Sequence, residues 1–167
     1  MSIFAALLLA AAPLPAEAGC AAPAPLAEPW TSWTQSGQVR AGTQADGAPS
    51  LILGKPVTAT LTPADYVHYV LPPAKGAASG HGGIFTLSLR TAARVGIALS
   101  GRAWIDVVAG ADLVPSVDHG HGPQCSGIRK IVWFDMTAGR HIVQVAGSPD
   151  AEIRLMAADA VANQPAQ

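Results

Sequence analysis

The densest group of chemically capable side chains lies between His119 and Lys130. This block reads His-Gly-His-Gly-Pro-Gln-Cys-Ser-Gly-Ile-Arg-Lys, and it holds two of the five histidines and one of the two cysteines. In an extended segment, side chains at positions i and i+2 project from the same face, so His119 and His121 can present two imidazoles to one metal ion. A copper or zinc site needs a further ligand, which His141 or His81 would supply from elsewhere in the fold.

The cysteine of this block has a structural and a chemical interpretation. Cys20 is the only other cysteine in the chain, and disulfides form in the oxidising compartment to which this chain is expected to be exported. We therefore predict a disulfide between Cys20 and Cys125, which contributes on the order of 4 kcal/mol in the chain-entropy model. The alternative is a free Cys125 thiolate that acts as a nucleophile beside His119 or His121. No catalytic residue is assigned, since no complete catalytic motif occurs.

The first residues indicate export. An apolar run at 3–12 is followed by the small-x-small sequence at 16–18, which predicts a secretory signal at residues 1–18. The run is about half of the ~20 residues that a membrane span needs, so no span is expected. The predicted location is periplasmic or extracellular. Processing as a lipoprotein with a lipid on Cys20 is the alternative, although Glu17 stands where that signal has Leu.

The charge balance of the mature chain is even. Removal of Glu17 with the signal reduces the 11 acidic residues to 10, which equals the 10 Lys and Arg. Nucleic acid and anionic membrane surfaces attract clustered basic residues, and those of this chain are scattered, so neither partner is expected. Arg129-Lys130 is the only adjacent basic pair, and we expect it at a solvated strand edge.

The elements that must position these residues are predicted to be strands. From residue 51 onward, short segments with alternating apolar and polar residues are separated by turn-forming clusters, as is typical of β-structure. The predicted strands are 57–61, 66–71, 84–89, 95–99, 104–108, 114–118, 131–136, 141–145 and 153–156. Their regular spacing predicts an all-β fold, an antiparallel sandwich or jelly roll of about eight to nine strands. His68 and Asp106 are expected on solvent-facing sides of their strands.

The predicted sandwich occupies residues 51–158. Residues 19–50 form an Ala- and Pro-rich irregular lead-in, and residues 159–167 form a disordered tail. Trp30 and Trp33 lie in the lead-in, and two large apolar side chains there indicate that it packs back onto the domain.

Three segments resemble the bacterial pre-peptidase C-terminal sandwich domains. They are Gly-Lys-Pro-Val-Thr-Ala-Thr-Leu at 54–61, Tyr-Val-His-Tyr-Val-Leu at 66–71 and Thr-Ala-Gly-Arg-His-Ile-Val-Gln-Val at 137–145. In those domains a central strand with an aspartate precedes the last hairpin, and Asp106 matches that aspartate. His141 stands where the hairpin usually has Tyr. The resemblance implies a sandwich with a binding or accessory role.

The segments 104–108 and 119–130 together resemble more closely a group of small exported bacterial proteins that carry the label homogentisate 1,2-dioxygenase. This resemblance covers most of residues 51–158 and implies a non-haem iron dioxygenase. Such an iron site combines histidines with one carboxylate. Cys and Ser occupy positions 125 and 126, where the carboxylate would follow the His-x-His sequence. Asp106 or Asp118 would have to replace it.

Two hypotheses about function follow. The first is an exported, non-enzymatic β-sandwich that binds an unknown protein or small ligand through the loops near 119–125 and needs no cofactor. The second is a small metalloprotein or iron dioxygenase, with His119, His121 and His141 as ligands of iron, copper or zinc.

Overall fold

The computed structural model describes residues 20, 22 and 25–160. The predicted signal peptide at 1–18 and most of the predicted tail, residues 161–167, lie outside the described residues. The described part is an all-β sandwich of two sheets, which confirms the predicted fold class. It has 12 strands rather than about eight to nine, because the structure adds three strands of two or three residues that are too short for a clear pattern.

The strands are β1 Gln38–Arg40, β2 Ser50–Leu51, β3 Val57–Thr60, β4 Thr62–Pro63, β5 His81–Leu89, β6 Ala93–Leu99, β7 Trp104–Ala109, β8 Asp112–Val114, β9 Ser116–Gly120, β10 Lys130–Met136, β11 Gly139–Ser148 and β12 Glu152–Asp159. A single-turn 3-10 helix, Ala64–Tyr66, follows β4. Among the described residues, no helix has the length and apolar composition that a membrane crossing requires.

The two sheets share one pattern of mostly antiparallel pairing. The first sheet has the order β1-β3-β12-β6-β10-β9, and the second has the order β2-β5-β11-β7-β8, with β4 also paired to β5. The two parallel pairs are β1 with β3 and β2 with β5. The segment 19–50, which was expected to be an irregular lead-in, contains β1 and the first residue of β2, so it contributes to an edge strand of each sheet.

The core lies between the sheets, where alternate residues of each long strand meet. On β6, for example, Val95, Ile97 and Leu99 are fully buried in the main apolar cluster. A second apolar cluster covers the outer face of the first sheet, and Trp30 and Trp33 of the lead-in belong to it. The ring of Trp30 contacts that of Trp133 edge to face, with 5.9 Å between centroids. The expectation that the lead-in packs back onto the domain is therefore confirmed.

The predicted strand at 66–71 is wrong. After the 3-10 helix, this part of the chain crosses the outer face of the second sheet as an irregular segment. Its backbone bonds to the side chain of Gln144 on β11, whose Oε1 accepts from the amides of Val70 (2.6 Å) and Leu71 (3.3 Å) and whose Nε2 donates to the Leu71 carbonyl (3.0 Å). One buried amide side chain thus supplies the hydrogen bonds that a neighbouring strand would have supplied.

The predicted strand at 114–118 divides into two at Pro115. The part before it, β8, pairs with β7 in the second sheet, and the part after it, β9, pairs with β10 in the first sheet. Proline lacks the amide hydrogen that a continuous ladder needs, so the chain leaves one sheet at this residue and enters the other. This crossover brings the histidine-rich block to the edge of the first sheet.

Candidate functional site

His119 and His121 both lie at the open edge of the sandwich. His119 is exposed on β9 and pairs with Val132 of β10. Val132 belongs to the main core, so its cross-strand partner His119 projects from the same inner face of the first sheet. His121 follows β9, and its Nδ1 lies 3.0 Å from the carbonyl oxygen of Arg129. Since a carbonyl only accepts, Nδ1 donates in this bond and Nε2 is left for another partner.

His141 lies apart from these two histidines. It sits on β11 in the middle of the second sheet, its side chain is 1% exposed, and neither ring nitrogen has a hydrogen-bond partner among the described residues. His81 begins β5 in the same sheet, next to β11. The described part of the chain holds no group of three or more His, Cys, Asp or Glu side chains that could bind a metal ion. The structure therefore does not assemble His119, His121 and His141 into one site.

The disulfide between Cys20 and Cys125 is present, as predicted, with an S–S distance of 2.05 Å. Both cysteines are consumed by this bond, so Cys125 is neither a thiolate ligand nor a nucleophile. The loop around Cys125 is also held from within, because the buried Ser126 hydroxyl accepts from the amide of Ile128 and the Ser126 amide donates to the Pro123 carbonyl. The disulfide and these bonds fix the loop that carries His121.

Two neighbouring hollows flank Trp104. The first, which we term the cationic hollow, has a volume of about 320 Å³ and is lined chiefly by Lys75, Arg102, Trp104, His121, Arg129 and Lys130. The second, which we term the inter-sheet groove, also has about 320 Å³ and is lined chiefly by Trp104, Ile105, Ser116, His119, Lys130 and Val132. His121 lines both hollows, as do Trp104 and Lys130. The two hollows are therefore adjoining parts of one candidate site.

The cationic hollow gathers charges that are far apart in the sequence. Lys75 comes from the segment over the second sheet, Arg102 from the turn before β7, and Arg129 and Lys130 from the entry to β10. Four of the ten Lys and Arg residues thus surround one hollow, and none of the described residues that line it is acidic. Basic residues that are scattered along the chain are clustered in the fold.

Trp104 is the centre of this cationic cluster. The Nζ atom of Lys75 lies 5.0 Å from the centroid of its ring, and that of Lys130 lies 5.8 Å away. The ammonium group of Lys130 also donates to the carbonyl of Ala103 at 2.6 Å, and burial lowers its pKa below the ordinary value. Lys130 has no carboxylate partner among the described residues, and an anion placed in the hollow would stabilise its half-buried charge. The pair Arg129-Lys130 was expected at a solvated strand edge; Arg129 is indeed exposed, whereas Lys130 is half-buried.

Asp106 holds Trp104 in place. Its Oδ1 accepts from the indole nitrogen of Trp104 at 2.9 Å, whereas its Oδ2 is buried and has no hydrogen-bond partner in the described structure. Asp106 was expected to face solvent, but it is only 8% exposed. It neighbours Gln144 across the β7–β11 pair, and Gln144 binds the segment that crosses this face. The expectation failed because that segment covers the outer face of the second sheet.

The inter-sheet groove is the open end of the sandwich core. β8 pairs only with residues 107–109 of β7, so its pairing stops before Ile105. Ile105 and Val132 belong to the main core and form apolar walls, and Ser116 and His119 lie exposed on the inner face of β9. The groove can therefore enclose an apolar group, and its rim offers imidazole and hydroxyl groups.

Sequence reasoning selected the two histidines of this site but missed Lys75, Arg102 and the role of Trp104. The position of Lys75 in this site could not be predicted, because it lies on an irregular segment whose path has no sequence pattern.

The sequence matches no protein-family model, and no curated protein matches it significantly. The geometry around Trp104 is therefore the observation on which a function is proposed.

Proposed function

We propose that the protein is an exported, non-enzymatic binding domain that captures a small organic anion in the cationic hollow. The observation that carries the proposal is the convergence of Lys75, Arg102, Arg129 and Lys130 on a hollow whose described lining has no acidic side chain. Export is supported by the predicted signal at 1–18 and by the disulfide, since such bonds persist in oxidising compartments.

Electrostatics favours an anion in this hollow. The four cations repel one another, and Lys130 is in addition partly removed from water. Two unit charges 4 Å apart interact by about 4 kcal/mol at an effective dielectric constant of 20, and by about 1 kcal/mol in bulk water. The Coulomb attraction between Lys130 and an anion beside it lies between these limits. Arg102 and Arg129 are exposed, and their main effect is to steer the anion toward the hollow.

The size of the hollow favours a small molecule over a polymer. Its volume of about 320 Å³ lies within the range of small-molecule sites. A nucleic acid or an anionic surface would need a longer stripe of basic residues. Three of the other cations make contacts elsewhere: Arg94 pairs with Asp135, Arg140 donates to the carbonyl of Ala45, and Arg154 binds the carbonyls of Trp33 and Gln35.

The dioxygenase hypothesis has less support. It needs a third protein ligand beside His119 and His121, and no set of three such ligands occurs among the described residues. His141, the third ligand of that hypothesis, is buried within the second sheet.

The proposal is tested by isothermal titration of the purified, oxidised protein with citrate and octanoate at low ionic strength. Octyltrimethylammonium serves as the probe of opposite charge. We expect the anions to bind, the cation not to bind, and the affinity to fall as salt is added, because exposed charges are screened.

A matched pair of double variants locates the binding. Lys75→Gln with Arg102→Gln should weaken anion binding by about tenfold, the sum of two losses of ~0.7 kcal/mol each. Lys55→Gln with Arg40→Gln removes the same charges from exposed positions that do not line the hollow, and it should leave the affinity unchanged. Equal affinities in the two double variants, or no binding of any anion, would refute the proposal.

A further inference from the structure

We infer that the bound anion carries an apolar tail: the ligand is an amphiphilic carboxylate, with its head in the cationic hollow and its tail in the inter-sheet groove. This inference rests on the proposed function and adds the chemical class of the ligand. It is carried by two adjoining hollows around Trp104, one ringed by four cationic side chains and the other walled by core residues of both sheets.

The two hollows meet at Lys130. Its side chain lines both of them, and its ammonium group is fixed between the carbonyl of Ala103 and the face of Trp104. A carboxylate bound at this ammonium group therefore lies at the boundary between the hollows. The rest of the molecule can extend from there into the groove without leaving the site.

The groove provides an apolar environment for the tail. Ile105 and Val132 are buried residues of the main core, one from each sheet, that reach its surface. Apart from Lys130 at the boundary, no Lys, Arg, Asp or Glu is among the described residues that line it. A charged or strongly hydrated group would lose its water there without gaining a charged partner.

The dimensions of the groove limit the tail. Its volume of about 320 Å³ is near the lower end of the range for small-molecule sites. The two sheets of a sandwich pack ~10 Å apart, and side chains fill most of that distance. An unbranched tail of medium length fits such a space better than a long acyl chain or a fused ring system.

A homologous series of carboxylates tests this inference. Butanoate, hexanoate, octanoate and decanoate are titrated into the oxidised protein at low ionic strength, below their critical micelle concentrations. Each methylene that enters the groove should strengthen binding by about three- to fourfold. We expect this gain to continue until the groove is filled and then to stop. Octan-1-ol, which has the tail without the charge, should bind at least tenfold more weakly than octanoate.

The outcomes separate this inference from the proposed function. If the short and long carboxylates bind equally, the tail assignment is overturned and anion binding stands. If none of these four carboxylates binds, the tail assignment is overturned, and the proposed function is overturned with it if citrate also fails to bind. If octan-1-ol binds as tightly as octanoate, the cationic hollow does not hold the head group, and the inference is again overturned.

Two variants locate the tail. Ser116→Phe and His119→Phe each place a bulky ring on the exposed inner face of β9, where the groove runs, so either should abolish most of the gain from butanoate to octanoate. Ser88→Phe, at an exposed position of β5 outside both hollows, is the matched control and should keep the full gain. Urea unfolding of each variant verifies that it is folded. A folded Ser116→Phe and a folded His119→Phe that both retain the full chain-length dependence would place the tail elsewhere.

Discussion

Gln144 provides the sharpest test of how the second sheet holds its covering segment. The side chain is 1% exposed and binds Val70 and Leu71 through three hydrogen bonds. Replacing it by Met keeps the approximate length of the side chain and removes these bonds. Two of them, at 2.6 and 3.0 Å, have good distances, and the third, at 3.3 Å, is weaker.

The expected loss follows from the net worth of these bonds. Each good bond contributes about 1 kcal/mol and the third contributes about 0.5 kcal/mol, so the free energy of unfolding should fall by ~2.5 kcal/mol. Gln38→Met is the matched control, because Gln38 is an exposed glutamine on β1. It should change the free energy of unfolding by less than about 0.5 kcal/mol.

The assay combines urea unfolding, followed by circular dichroism and extrapolated linearly to water, with amide hydrogen exchange. In Gln144→Met the amides of Val70 and Leu71 should exchange faster than in the unmodified protein. Anion binding should also weaken, because Lys75 lies on the same segment. A stability within 0.5 kcal/mol of the unmodified protein, together with unchanged exchange at both amides, would refute the assigned role of Gln144.

Three further predictions concern the disulfide, the buried histidine and the half-buried lysine. The double variant Cys20→Ser with Cys125→Ser opens a loop of 105 residues, so its free energy of unfolding should fall by about 4 to 5 kcal/mol in the chain-entropy model; a loss below 1 kcal/mol in urea unfolding would show that the bond constrains little. His141→Leu removes two buried ring nitrogens without partners and should stabilise the protein by ~1 kcal/mol, and a lower thermal midpoint would contradict this. The lowered pKa of Lys130 means that the unfolded chain binds more protons than the folded protein in the alkaline range below the ordinary lysine pKa. The stability of the unmodified protein relative to Lys130→Met should therefore rise with pH there, and a flat or falling difference in urea unfolding would contradict the burial of this ammonium group.

The longest strands could be predicted because their sequences carry the period-two signal directly. In β6 the apolar residues Val95, Ile97 and Leu99 alternate with others and all face the core. The same alternation is present at 66–71, but it predicted a strand there wrongly. The backbone of this segment is hydrogen-bonded by the side chain of Gln144, which is far away in the sequence. At 114–118 the alternation continues through Pro115, which has no amide hydrogen for strand pairing, so the one predicted strand is two strands in the structure.

The parts of the candidate site that could be predicted are the local spacing of two histidines and the pairing of the two cysteines. The i and i+2 spacing correctly placed His119 and His121 in one groove, and the count of two cysteines correctly gave the disulfide. The position of His141 depends on which strand neighbours which, and the sequence does not encode this order in any short pattern. The cationic cluster likewise depends on three segments, distant in the sequence, that the arrangement of the two sheets brings together.

The crossover at Pro115 also determines how far the two sheets can separate at this side of the molecule. A single residue joins the last position of β8 in one sheet to the first position of β9 in the other. The distance between the two edge strands is therefore set by covalent geometry, and a ligand cannot separate them at that point. The width of a ligand should accordingly determine whether it enters at this edge: a narrow molecule fits lengthwise between the sheets, and a wide one does not.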